Sequence, residues 1–279
     1  MSKTVSFFPQ QAARNSVPVL AAMRTALLRH GYQICENSMH SDMAVIWSVL
    51  WAGRMRDNRA VYEHYQRQSR AVIVVDVGAL WRNTTWRIAL GNVNALAFYG
   101  HTTDLDSDRA RRFPIALRQT SNPRPCIVIA AQHQCSLQLQ TIGSQEQWIR
   151  EQASQLAQHT DRPIVVRPHP RSGLDLGLLG QHLQIQQPKR LPGTYDDFDF
   201  DYNVHAVVNY SSSPGVLAAI HGARPLVSTH SLAAPVAVTA DSIESSYDVD
   251  RERWFLEMCH TEYFLDEVEA GLWIKRLGV

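Results

Sequence analysis

The chain predicts an α/β fold built on mostly parallel strands, and three features carry that expectation. Short apolar runs rich in β-branched residues, such as the VIVVD run ending at Asp76, alternate with stretches of helical character. Glycine or asparagine separates them, and the rhythm occurs in both halves of the chain. Residues 206–227 then read as a complete βαβ unit: a strand over 206–210, a serine-rich turn, a helix over 216–220, a stop at Gly222 and a strand over 223–227.

Taken in order, residues 4–8 predict a short first strand, followed by a polar turn and a helix over 19–30 that Gly31 ends. Residues 32–35 begin another extended segment, and residues 43–49 are an apolar strand. The charged stretch WAGRMRDNRAVYEHYQRQSR becomes helical in its latter part, and residues 71–77 form the clearest strand of this half. Residues 81–99 mix Trp, Arg and Asn with no sustained period and read as a substrate-facing loop region. The RARR run at 109–112 is basic, and residues 122–125 read as a linker, which places a domain break near residue 122. The expected division is therefore an N-terminal domain over 1–122 and a C-terminal one over 123–279.

The second half begins with a strand over 126–131 and a helix over 144–160, with Ser144 and Gln147 forming a capping box. A strand over 163–167 runs straight into RPHPRSG, and residues 183–186 form a short strand. The acidic DDFDFD run at 196–201 reads either as a cation attractor or as a solvated turn. Residues 251–258 and 263–272 are helices, and no repeat at solenoid spacing is present.

With 279 residues and 45% hydrophobic content, the chain can bury one large core or two ordinary ones. Its apolar runs are strand-sized, far below the ~20 residues that span a bilayer, and residues 2–14 are too polar for a signal peptide. Cys35, Cys126, Cys135 and Cys259 lack metal or CxxC spacing and read as thiols of a reducing cytoplasm. Net charge is +1, yet residues 1–130 carry 16 Lys+Arg against 8 Asp+Glu, and residues 131–279 carry 11 against 18. The halves are thus suited to different partners, or to partial mutual neutralisation. HExxH, GxSxG and GxxxxGK[ST] are all absent, which argues against zinc hydrolase, α/β-hydrolase and P-loop chemistry.

Two turns carry the candidate chemistry. Arg167, His169 and Arg171 follow a strand end, where open α/β sheets place ligand-binding groups, and Pro168 and Pro170 keep that turn out of a helix. Arginine grips phosphate bidentately, and histidine can protonate a departing oxygen near neutral pH. A solvated basic turn is the plain alternative. In the second turn, Ser211, Ser212 and Ser213 suit a helix cap, Pro214 suits the first helical position, and Gly215 lets a ligand approach. Helix amides there can hold a phosphate, although many such turns bind nothing. Gln132, His133 and Ser136, after the first strand of this half, complete the same face, and His133 reads equally as a surface residue.

With RPHP at 167–170 and YSSSPGVLAAIHGARPLV at 210–227, the chain resembles nucleotide-sugar glycosyltransferases of the GT-B type. The nearest are the capsule and surface-polysaccharide enzymes, including Kdo and sialic-acid transferases, that carry an HP motif and a later serine motif. The resemblance covers mainly residues 126–230. It implies two Rossmann-like domains facing a central cleft, with the N-terminal one receiving the acceptor and terminal helices crossing back to it. It also implies a UDP- or CMP-sugar co-substrate, with His169 and Ser211 to Ser213 binding the nucleotide phosphate and assisting its departure. No further cofactor and no metal is expected.

The acceptor side then rests on Asp76, whose carboxylate can take a proton from an attacking hydroxyl. Its DVG context resembles the acidic-residue-plus-glycine motif of HP-containing transferases, with Val77 where those enzymes carry a second acid. Asp57 and then Asp104 compete for the role, and a structural Asp at a strand end is the plain alternative. Arg54, Arg56, Arg59, Arg82 and Arg87 offer a basic wall, and Trp51, Trp81, Trp86 and Tyr99 offer packing surfaces for a sugar or a displaced base. Both an anionic surface glycan and DNA carrying a hydroxymethylated pyrimidine fit that wall, since viral DNA glycosyltransferases also resemble GT-B enzymes. A nucleotide-sugar epimerase and a noncatalytic nucleotide-sugar or nucleic-acid binding module are the other readings. Donor identity, anomeric outcome and subunit number stay open at this stage.

Overall fold

The computed structural model describes residues 3–120, 125–179, 183–194 and 196–279. The chain forms two compact units, one from Met1–Pro114 with Leu256–Val279 and one from Ile115–Phe255. The break expected near residue 122 lies outside the described residues.

The first unit contributes β1 (Thr4–Phe7), α1 (Val17–Arg29), β2 (Gln33–Glu36), β3 (Met43–Trp47), α2 (Asn58–Arg67), β4 (Ala71–Val77) and β5 (Thr85–Leu90). The second contributes β6 (Ile127–Ala130), α3 (Gln145–Leu156), β7 (Ile164–Arg167), α4 (Leu176–Leu179), β8 (Gln184–Ile185), β9 (Ala206–Asn209), α5 (Ser213–Ile220) and β10 (Arg224–Val227). Helix α6 (Glu252–Cys259) then leads into β11 (Glu262–Phe264), α7 (Leu265–Ala270) and α8 (Leu272–Leu277) of the first unit.

The first sheet runs β11-β5-β4-β3-β1-β2, parallel from β2 to β4 and antiparallel at β4–β5 and β5–β11. Its buried strands alternate faces with period two. Val5, Phe7, Val45, Trp47, Ile73 and Val75 share a core with the apolar stripe of α1 at Val19, Met23, Ala26 and Leu27. Residues 81–99 hold a strand, β5, where a loop region was expected. Arg87 hides it from a pattern reading, because a charged residue in mid-strand looks like a breaker; here it is buried against Glu262 at 3.1 Å. The single helix expected over 263–272 is instead β11, α7 and α8. Gly271 makes the break at φ +78, and a Cβ there would lie 2.6 Å from the His30 ring.

The second sheet is wholly parallel, in the order β10-β9-β6-β7-β8. Ile127 and Ile129 pack on α3 through Ile149, Ala153 and Leu156, while Val128, Ala130 and Val207 share a core with Ala218 of α5. Helices therefore cover both faces, as a wholly parallel sheet requires. Ser144 caps α3 by accepting from the Gln147 N–H at 3.3 Å. No described helix is long and apolar enough to cross a membrane.

Candidate functional site

Strand order places the site. From β6 the chain steps outward through β7 to β8, then returns to the other side of β6 for β9 and β10. The order reverses between β6 and β9, and the crevice beyond the carboxyl ends of such a pair is where open parallel sheets bind ligands. The turn after β6 carries Gln132 and His133, and the turn after β9 carries the serines. They meet directly: Gln132 Oε1 accepts from both the N–H and the hydroxyl of Ser211, each at 3.3 Å. Gln132 is itself held, its N–H donating to Gln145 Oε1 at 2.7 Å and its amide to Ser136 Oγ at 3.0 Å.

The turn after β7 joins the same edge. The rings of His133 and His169 lie 5.1 Å apart, edge to face. His133 Nδ1 accepts the Cys135 N–H at 3.1 Å, and His169 Nδ1 accepts the Arg171 N–H at 3.1 Å. In each neutral ring the proton therefore sits on Nε2. Burial lowers the His133 pKa, and the Arg171 charge lowers it further, so this imidazole stays neutral near pH 7. Ser172 Oγ accepts the Gln134 N–H at 3.2 Å and ties the two turns together.

Four expectations for this edge need correcting. Arg167 is 6% exposed and donates to the backbone and carboxylate of Asp199, the latter at 2.6 Å, with its guanidinium over the Phe200 ring. A cation so engaged is a strut for the 196–201 run rather than a phosphate ligand. Gly215 does not make room for a ligand: a Cβ there would meet Asn209 Oδ1 at 2.5 Å and Val227 Cγ1 at 2.7 Å, so its bareness serves helix-on-sheet packing. The Ser212 side chain does not cap α5 but accepts from Asn209 Nδ2 at 3.0 Å. Ser213, by contrast, opens α5 with Pro214 beside it. Arg171 is about half exposed and pairs with Asp196 at 2.7 Å, so the acidic run is neither a cation trap nor merely solvated.

Sequence reasoning also passed over Tyr210 and His230. The Tyr210 hydroxyl lies 3.4 Å from both Thr141 Oγ1 and His230 Nδ1, and its ring meets those of Trp148 and His230 edge-on. Both follow strand ends on this edge, which was the available signal.

In the first unit Asp76 is the penultimate residue of β4. Its Oδ1 accepts the Val77 N–H at 2.7 Å and its Oδ2 the Ser48 hydroxyl at 3.0 Å. Burial raises its pKa above the ordinary carboxylate value, against the lowering pull of those bonds and of Arg87 and Arg82. Ser48, missed in the sequence, adopts φ +61 to make that bond. Arg54, Arg56 and Asp57 stand exposed in a 3-10 turn after β3, and Arg82 is exposed in the turn after β4. Asp104 is exposed. Trp86 and Arg87 are not wall residues: Trp86 is buried in the core shared with α1 and Arg87 is buried on Glu262, so neither presents a surface to an acceptor.

No protein-family model matches the chain, and no curated protein matches its sequence. Two solved structures of KpsC from Thermosulfurimonas dismutans do match in fold. The β-Kdo 2,7 transferase aligns with a TM-score of 0.51 at 11% identity, covering 97% of this chain and 99% of that one. The β-Kdo 2,4 transferase aligns at 0.53 and 12% identity, covering 92% and 90%. At such identity the likeness speaks for architecture: the fold is GT-B-like, with two Rossmann-like units.

Proposed function

We propose that the protein is a glycosyltransferase that moves a sugar from a UDP- or CMP-sugar to a hydroxyl of an anionic acceptor. The observation that carries this reading is the meeting of three turns at the switch point of the second sheet, through Gln132 with Ser211 and His133 with His169. Ser211 supplies an N–H and an O–H once a phosphate oxygen takes the place of Gln132 Oε1, and His169 adds an Nε2–H and Arg171 a half-exposed guanidinium, the kinds of donor a nucleotide phosphate needs. As the bond to the sugar breaks, negative charge grows on that phosphate, and donors drawn from these three turns stabilise it there. Asp76, with its raised pKa, is the base we assign to the acceptor hydroxyl. Kdo transfer by the two fold neighbours favours a surface polysaccharide as acceptor. Hydroxymethylated DNA is the other arm of the test.

The experiment is a mass-spectrometric screen of UDP- and CMP-sugars against anionic glycans and modified DNA. Nucleotide release should depend on the acceptor, and His169→Ala should cut turnover by roughly 10²–10⁴-fold with the fold intact. Interconversion of the donor alone would instead identify an epimerase, and saturable binding without product a noncatalytic module.

A further inference from the structure

The first unit holds a buried cluster of ionisable groups around the end of β4. Glu262 on β11 is fully buried and accepts from four different groups: the Ala79 N–H at 2.6 Å, the Leu80 N–H, the Thr85 hydroxyl at 2.7 Å and Arg87 at 3.1 Å. Ala79 and Leu80 begin the turn that leaves Asp76. The approach is so close that a Cβ on Gly78 would sit 2.4 Å from Glu262 Oε2 and 2.3 Å from Thr85 Oγ1. Arg87, in turn, is the register partner of Asp76 across β4 and β5, which sets the two side chains on one face.

We infer that Glu262, acting with Arg87, is a positioning residue for Asp76: it locks the turn after β4 and neutralises the buried cation that faces the Asp76 carboxylate. The inference rests on the reading of Asp76 as the base. Five groups bear on that carboxylate or its partner: Ser48 at the end of β3, Arg82 in the following turn, Arg87 on β5, Tyr99 beyond β5, and Glu262 on β11. Tyr99 stays neutral, because burial pushes its phenol far up. Arg82 is exposed and screened by water. Arg87 is therefore the cation with most leverage, and an unopposed guanidinium there would make Asp76 a weak base. With Glu262 beside it, Arg87 holds the strand pair together while its lowering pull on Asp76 is partly offset.

The full-length protein tests this without a substrate. The pKa of Asp76 is read from its side-chain carbon resonance in an NMR titration, with Asp76→Asn identifying the signal. Glu262→Gln should lower that pKa by about one unit, Arg87→Gln should raise it, and Arg87→Lys should leave it near the wild-type value. The acidic limb of the pH–rate profile should move with it. Opposite shifts in the two charge-removing variants are the decisive outcome, since mere loosening of the site would move both downward toward the value of an exposed carboxylate. An unmoved Asp76 in folded Arg87→Gln, or shifts of the same sign in both variants, overturns the inference. If Glu262→Gln fails to fold, the Arg87→Gln and Arg87→Lys pair still decides. If Asp76→Asn keeps full turnover while the opposite shifts appear, the base assignment fails and the tuning stands.

Discussion

The side-chain oxygen of Gln132 gathers both donors of Ser211, its backbone N–H and its hydroxyl, although the two residues belong to turns of different strands. One acceptor taking two convergent donors is the arrangement a phosphate oxygen uses at the start of a helix. Gln132→Glu puts a carboxylate at that point. Its charge strengthens the bonds to Ser211 and opposes any phosphate brought there, while the amide donation to Ser136 is lost, so the folded variant should be somewhat less stable and its nucleotide affinity should fall at least about tenfold. Calorimetric titration with UDP and CMP checks this, and unchanged affinity for both would place the phosphate elsewhere.

Much of this edge was legible because its signals are local. Prolines 168 and 170 exclude a helix, serines precede an apolar helix, and both turns follow β-branched runs, so strand ends and turn chemistry sufficed to bring His169 and Ser211 to one face. What stayed hidden depends on partners remote in sequence. Arg167 looks like a phosphate ligand until Asp199 is seen beside it. Arg87 looks like surface until Glu262, supplied by the C-terminal return, buries its charge. Gly215 was misassigned for a related reason: a bare Cα reads as room for a ligand, and only the packing shows Asn209 and Val227 filling that room.

Ser48 supports Asp76 at a conformational cost. A serine at φ +61 occupies a region that L residues with a Cβ avoid, and the hydroxyl it donates to Asp76 Oδ2 is the return for that strain. Ser48→Ala keeps the strain and removes the donor, so the Asp76 pKa should move further up and stability should fall by about 1 kcal/mol. Ser48→Gly loses the same bond but relieves the backbone, and should be the more stable of the two. Denaturant unfolding of both variants checks the order; a less stable glycine variant would show that Ser48 is not strained.

Histidines set the acid limit of stability. His260 Nε2 accepts the Asp106 N–H at 3.0 Å while Nδ1 donates to Leu256 O at 2.8 Å, and His205 Nε2 donates to Ile243 O at 2.8 Å. These rings fit as neutral groups, and burial lowers the pKa of His133, His205 and His260 below 6.5. Because the unfolded chain takes up these protons first, their contribution is complete above pH 6.5 and is lost as pH falls below it. Carboxylates with lowered pKa act in the same direction further down, led by Glu244 at about 2, whose contribution is present above 4.5 and lost toward 2. Tm should therefore fall in two steps, the first setting in as pH drops below 6.5, and a combined His205→Gln and His260→Gln variant should flatten that step. A wild-type Tm constant from pH 7.5 to 5.5 would refute the assignment.

Arg109 is the most extensively bonded of the guanidinium groups that fasten the C-terminal return within the first unit. Arg109 is 8% exposed; it donates to Cys259 O at 2.7 Å, to Glu262 O at 2.5 Å and to both carboxylate oxygens of Glu267 at 2.6 and 2.7 Å. Arg112, more exposed, also reaches Glu267. Removing the Arg109 side chain leaves the buried Glu267 carboxylate with the partly solvated Arg112 as its cation and the Phe264 N–H as a donor, and takes one donor from each of two carbonyls. Breaking a buried pair from one side costs about 3–5 kcal/mol, more than the pair itself contributes. Arg109→Ala should therefore destabilise by about that amount, and Arg109→Met with Glu267→Gln should recover part of it by removing the stranded charge. Because β11 carries Glu262, hydrogen exchange in Arg109→Ala should quicken first at the amides of 262–264, ahead of those in β3 and β4. Uniform quickening across the sheet would mean that β11 is no separate unit of opening and that Arg109 stabilises the sheet as a whole.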